Sequence, residues 1–181
     1  MNLQTRRTMG EIAGDWTSVS LAELIAHLIS QHHEYLQIEL PRLQQRLNAV
    51  YETNRAQGSP TLASLPNLLF LMKDDLDLHM RKEELVLFPA IERLARQDPP
   101  SGSLSTPIRS MLSEHDSASG ALDDIRGITR DYQLPHDASE TYRALFQDFE
   151  TLERRLRLHM YLEESVLFPR ALSLECQRCE A

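Results

Sequence analysis

Leu76-Asp77-Leu78-His79-Met80-Arg81-Lys82-Glu83-Glu84-Leu85-Val86-Leu87-Phe88-Pro89 returns, nearly unchanged, as Leu156-Arg157-Leu158-His159-Met160-Tyr161-Leu162-Glu163-Glu164-Ser165-Val166-Leu167-Phe168-Pro169. Each copy carries His-x-x-x-Glu. On a helix this spacing stacks the imidazole and the carboxylate one turn apart on one face. Both pairs lie inside apolar stripes, where an unpaired carboxylate is costly. Two glutamates converging in one dry core also repel each other, so one has to be neutral unless cations lie between them. A metal site shared by the two copies removes both costs.

Outward from these blocks, apolar residues recur at helical steps. The helix holding the first copy runs from about Leu62 to Arg96, with a stripe of Leu65, Leu69, Met72, Leu76, His79, Glu83, Val86 and Ala90. The helix holding the second copy has Leu145, Phe149, Leu152, Leu156, His159, Glu163 and Val166, with Asp137 to Glu140 as its capping box. Upstream of the first, Ser20 and Glu23 form a capping box. Leu24, Ile25, Leu28, Ile29, Leu36, Leu40, Leu43 and Leu47 follow, and the pattern continues past Pro41. Upstream of the second, Thr106-Pro107 supplies an N-cap and first-turn pair for Ile108, Met111, Leu112, His115, Leu122 and Ile125.

Gly58-Ser59-Pro60, the stretch 98–103 and Leu134-Pro135 separate these segments. No strand-like alternation appears. The expected fold is all-α: an antiparallel up-down-up-down four-helix bundle built from two duplicated hairpins at an offset of about eighty residues. Residues 1–17 read as an aperiodic lead, 18–174 as the bundle, and 175–181 as a tail whose Cys176 and Cys179 have no shared role.

The chain of 181 residues suffices for one sizeable core. A net charge of −8 argues against nucleic acid as a partner. Arg154, Arg155 and Arg157 read as one solvated helix face. No apolar run approaches the ~20 residues of a membrane span. Arg6-Arg7 is followed by Glu11 and Asp15 where a leader would be apolar, so the expected location is the cytoplasm.

His115 falls on the core stripe of the third helix. On the first helix, the stripe through Ile29, Leu36, Leu40 and Leu43 turns His33 inward, and a slightly rotated one through Leu21, Ile25 and Leu28 selects His32. We prefer His33. Four histidines and two glutamates then share one core. Imidazole and carboxylate without thiolate suit iron, manganese or zinc. Structural zinc usually takes cysteines. Carboxylates bridging a helical bundle point to a di-iron site, although the ferritin-type order is the reverse, Glu-x-x-His.

Several pieces together resemble the hemerythrin-like (HHE cation-binding) domains from about His27 to Leu172. They are His32-His33-Glu34 with Leu40-Pro41-Arg42-Leu43, and His79 to Glu84 with Leu87-Phe88-Pro89. Met111 with Glu114-His115-Asp116, and His159 to Glu164 with Leu167 to Leu172, complete the pattern. The repair-of-iron-centres group is the most similar branch. The resemblance implies Glu83 and Glu163 as bridges and His33, His79, His115 and His159 as terminal ligands. The implied cofactor is two non-haem irons with an oxo or hydroxo bridge, ahead of manganese or zinc.

The resemblance also implies O2 or NO as the small ligand, a role in oxidative or nitrosative stress, and damaged iron–sulfur proteins as partners. It leaves two alternatives open: an enzyme that reduces NO or peroxide, and an iron-storage or structural bundle. With no nucleophile triad or phosphate loop, the chemistry belongs to the metal. Two departures from the family pattern are visible. A fifth family histidine late in the first helix is replaced by Asn54, which leaves one iron under-ligated unless Tyr51 or Glu52 substitutes. The cysteine-bearing N-terminal domain of two-domain repair proteins has no counterpart.

Overall fold

Residues 16–54, 60–98 and 102–179 are described in the computed structural model. They form four helical rods. The first joins Leu21–His27, a π-helical turn Leu28–His33, and Glu34–Asn54. The second joins Pro60–Lys82, a π turn Glu83–Leu87, and Phe88–Ala95. The third is an unbroken α-helix, Ser105–Ile128. The fourth joins Glu140–Leu162, a π turn Glu163–Leu167, and Phe168–Cys179. No strand occurs among the described residues. The first rod packs on the second and fourth, and the third closes the ring against the same two. The expected four-helix bundle is the fold observed. No helix among the described residues is long and apolar enough to cross a membrane.

Local chemistry sets the rod ends. Ser20 Oγ accepts from the Glu23 N–H at 3.1 Å, and the Glu23 carboxylate accepts from the Ser20 N–H at 2.9 Å, which completes the expected capping box. The fourth rod is capped by Ser139, whose hydroxyl accepts from the Tyr142 N–H at 3.2 Å, two residues beyond the expected Asp137. The third rod starts at Ser105, so Thr106 lies within its first turn and does not cap it. Glu175 of the fourth rod does this work from outside, accepting from the Leu104 N–H at 2.7 Å at an end where the helix dipole favours negative charge. The first rod continues through Pro41 as expected. The lead through residue 15, the Gly58-Ser59 loop and the linker residues 99–101 lie outside the described residues. The last helix extends through most of the expected tail, with Cys176 exposed on it.

The apolar core is divided into two. One part gathers Leu24, Leu28, Phe88, Ile91, Phe168 and Ala171. The other gathers Leu40, Leu47, Leu65, Leu69, Leu145 and Phe149. Each large apolar side chain among them contributes about 1.5–3 kcal/mol on burial. Between the two lies a polar layer of His32, His33, His79, Glu83, His115, His159 and Glu163, none more than 3% exposed.

The π turns change which residues flank this layer. A uniform stripe through Glu83 carries Val86 and Ala90 inward. In the structure Val86 is 61% exposed, Ala90 is half-buried, and Leu87 and Phe88 are buried in their place. A π turn takes in one more residue than an α turn, so the inward face advances by one position. The arginine cluster also differs from expectation. Arg154 and Arg155 are exposed, but Arg157 is largely buried and donates to Glu153 at 2.8 Å and to Asp123 at 2.6 Å.

Candidate metal centre

His33, His79, His115 and His159 reach the layer one from each rod, and Glu83 and Glu163 follow His79 and His159 by one helical turn. Glu83 lies between two histidines: one carboxylate oxygen is 3.4 Å from His33 Nε2 and the other 3.4 Å from His79 Nε2. Glu163 repeats the arrangement, with 3.1 Å to His115 Nε2 and 2.8 Å to His159 Nε2. Two donor groups result, His33–Glu83–His159–Glu163 and His79–Glu83–His115–Glu163, each with its atoms within 4.8 Å of one another. Both glutamates belong to both groups. His33 Nε2, both Glu83 oxygens and one Glu163 oxygen are buried without a hydrogen bond among the described residues. Leaving such groups unpaired in an apolar interior is expensive. A pair of cations, one per group and bridged by the two carboxylates, satisfies every one of these atoms. The donor set therefore fits two metal ions.

Behind the ligands is an outer ring of carboxylates. Glu84 lies 2.7 Å from His33 Nδ1, Glu114 3.1 Å from His79 Nδ1, and Glu164 3.2 Å from His115 Nδ1. Such partners fix the ring orientation and leave Nε2 free for a metal. Glu114 is itself held by Lys82 at 2.8 Å and Ser110 at 3.1 Å. Phe88 stacks on His33 at 5.7 Å and Phe168 on His115 at 6.1 Å, ring centroid to ring centroid.

Comparison with known proteins agrees with this layout. Residues 24–171 match the hemerythrin HHE cation binding domain. The chain belongs to the hemerythrin HHE family. Within it, the chain is similar to the iron-sulfur cluster repair protein YtfE of Dickeya chrysanthemi, at 38% identity over 87% of this chain and 69% of that one. It is similar also to YtfE of Salmonella typhimurium, at 34% identity over 91% of this chain and 72% of the relative.

Within the HHE layer the histidines and glutamates shift one another's protonation. Burial opposes charge on His115, but its contacts with Glu163 and Glu164 prevail and lift its pKa to about 10. Burial likewise works against charge on His33 and His79, and Glu83 outweighs it and raises both. Burial pushes the Glu163 carboxyl up, yet His159 and His115 hold it well below the usual carboxylate range. Burial dominates at His159, which is lowered. A cation binding here would compete with protons on His33, His79 and His115, so its binding would weaken as the pH falls.

The bundle brings His33, His79, Glu83, His115, His159 and Glu163 together. His32 is equally buried but belongs to neither donor group. Asn54 is at the far end of the 21-residue helix Glu34–Asn54, about 30 Å from His33 at the rise of an α-helix. Its amide donates to the Val50 carbonyl at 2.7 Å. Tyr51 and Glu52 share that remote end, so none of the three reaches the metal layer. Sequence periodicity does not single out the outer carboxylates. For Glu84 and Glu164 the signal there is the repeated Glu-Glu doublet at 83–84 and 163–164, and for Glu114 its place beside His115. A cleft of about 220 Å³ between the second and third rods leads from solvent to His79, past Leu78, Lys82, Glu114 and Ala118.

Proposed function

We propose that this chain is a non-haem di-iron protein acting in the repair of damaged iron–sulfur centres or in defence against nitrosative and oxidative stress, with O2 or NO as its small ligand. The single observation that carries the reading is the sharing of Glu83 and Glu163 between two buried donor groups. The relatives named as iron-sulfur cluster repair proteins supply the setting. Iron is favoured over zinc because the ligand set has imidazole and carboxylate and no thiolate.

When bound, two irons supply one-electron chemistry toward a diatomic ligand and a store of iron for a depleted cluster. The side chains do the rest. Glu83 and Glu163 would hold both ions. The four histidines would bind through Nε2, and Glu84, Glu114 and Glu164 keep three of them oriented. Each group offers four protein donors, fewer than the six of an octahedral ion, which leaves positions open to an outside ligand. This replaces Asn54 as the physical reason for an open position. Phe88, Phe168 and the two apolar cores exclude water from the other sides, and the cleft beside His79 provides an approach. A cytoplasmic setting accords with this reading.

The test starts with protein purified without oxygen. Elemental analysis should give two irons per chain, one for each donor group. Stoichiometric NO should produce an iron–nitrosyl band. Incubation with a [4Fe–4S] enzyme that has lost its labile iron should restore that enzyme's activity. An iron-loaded chain indifferent to NO, to O2 and to the damaged enzyme would leave only storage or structure.

A further inference from the structure

The pseudo-twofold axis relates the first rod to the third and the second to the fourth. It carries the His33–Glu84 contact onto His115–Glu164. It should equally carry the contact of His79 with Glu114, the residue before His115, onto a contact of His159 with the residue before His33. That residue is His32, where three outer carboxylates elsewhere predict a fourth.

The surroundings fit an outer partner. His32 is 3% exposed, and its ring centroid is 5.6 Å from that of His159. Nδ1 of His159 and Nδ1 of His32 are both buried without a hydrogen bond among the described residues. A buried N–H without an acceptor costs about 1–3 kcal/mol, and an imidazole can accept through one nitrogen while donating through the other. The far side of His32 is closed. His27 meets it edge-on at 5.4 Å, and Trp16 packs on His27 at 4.1 Å. Arg170 holds this segment by donating to the carbonyls of Trp16 at 2.9 Å and Val19 at 2.5 Å.

We propose that His32 is the outer partner of the ligand His159, taking its Nδ1–H directly or through one water, and that an imidazole in a carboxylate's place makes the two irons inequivalent. This rests on the di-iron reading above. A carboxylate partner raises the basicity of a ligating imidazole more than a neutral ring does. The group containing His79 and His115 has two carboxylate-backed histidines, whereas the group containing His33 and His159 has one. The iron of the second group is therefore the more weakly held. His32 is a positioning residue, since it touches the ligand and not the metal.

The test uses the full chain loaded anaerobically with 57Fe(II). The wild type should give two Mössbauer doublets of equal area and two phases of iron release to a chelator. His32→Ala should shift one doublet, leave the other, and speed the faster phase about 10-fold. His32→Gln, whose amide both donates and accepts, should restore most of that rate. His32→Glu should draw the doublets together and slow the faster phase. If His32→Ala fails to give a helical circular dichroism spectrum, the Gln and Glu variants read the same doublets. Wild-type doublets and rates in His32→Glu, or equal shifts of both doublets in any of the variants, overturn the proposal while the di-iron reading stands. A wild-type chain that takes up no iron overturns both.

Discussion

The two hairpins carry the same ligands on different backbones. In the first rod the chain reaches His33 through the π turn Leu28–His33, whereas in the third rod His115 sits in an unbroken α-helix. The widened turn puts two successive side chains, His32 and His33, into the dry layer. The regular helix puts only His115 there, and Glu114 is left at the rim, where it reaches back to His79 and Lys82. Duplication thus preserved the inner ligands and let their supports diverge. A second asymmetry lies outside the metal layer. Glu153 is buried and accepts from Arg126 at 2.8 Å, Tyr132 at 2.7 Å and Arg157 at 2.8 Å. At the matching place in the first hairpin stands Lys73, which pairs with Asp77 at the surface.

The largest effect should come from erasing what the hairpins share. Glu83→Ala with Glu163→Ala should take iron from two per chain to near zero by elemental analysis, because both donor groups lose both carboxylates. Retention of iron in the double variant would break the bridging assignment.

The Glu153 network should give the next largest effect, confined to stability. Glu153→Ala leaves two arginines and a tyrosine without their buried acceptor, although Arg126 keeps Asp131 and Arg157 keeps Asp123, and should cost about 1–3 kcal/mol in urea unfolding, with iron content unchanged. Burial pushes the Glu153 carboxyl up, but Arg126, Tyr132 and Arg157 outweigh it and hold it below the usual carboxylate range. Its contribution is therefore present above the ordinary carboxylate pKa and lost as the pH falls through the lower folded one. Glu153→Gln lacks this contribution at every pH, so its stability should decline less than that of the wild type as the pH falls below the ordinary carboxylate range.

A finer contrast separates the outer carboxylates. Glu114→Gln and Glu84→Gln act on histidines of different donor groups. Each should accelerate release of one iron about 10-fold in a chelator assay. Equal acceleration of both phases by either variant would mean that the two groups do not hold metal independently. The smallest effects should come from Asn54→His and Cys176→Ser. One residue is remote from the layer and the other is exposed on the last helix, so iron content and release should match the wild type.

The same contrasts separate what the order of amino acids reveals from what only packing decides. Helical periodicity and the doubled His-x-x-x-Glu are strong local signals, and they suffice for the bundle and for the residues grouped in its core. The π turns leave no such signal. A stripe drawn at a constant 3.6-residue period cannot anticipate one extra residue, so it turns Val86 inward where Leu87 is found. The same kind of turn is why periodicity cannot separate His32 from His33: both are buried. Asn54 misleads for a different reason. A family position points to it as a ligand, while a straight helix of that length carries it far beyond the layer. The partners of Glu153 come from residues 126, 132 and 157, a tertiary meeting that no spacing rule encodes.

The polar layer has a mechanical consequence. It cuts the hydrophobic core in two, so the four rods behave as two short bundles spliced end to end, a joint that bound cations would close. In the metal-free chain the joint is held by protonated imidazoles and carboxylates, which fit each other less well than they fit cations. Amide hydrogen exchange should then rise first across residues 79–87 and 159–167 when metal is withdrawn, while the apolar blocks on either side stay protected. A metal leaving this protein would loosen the middle of the molecule before its ends; on the repair function proposed above, delivery of the metal and softening of the scaffold would be one event.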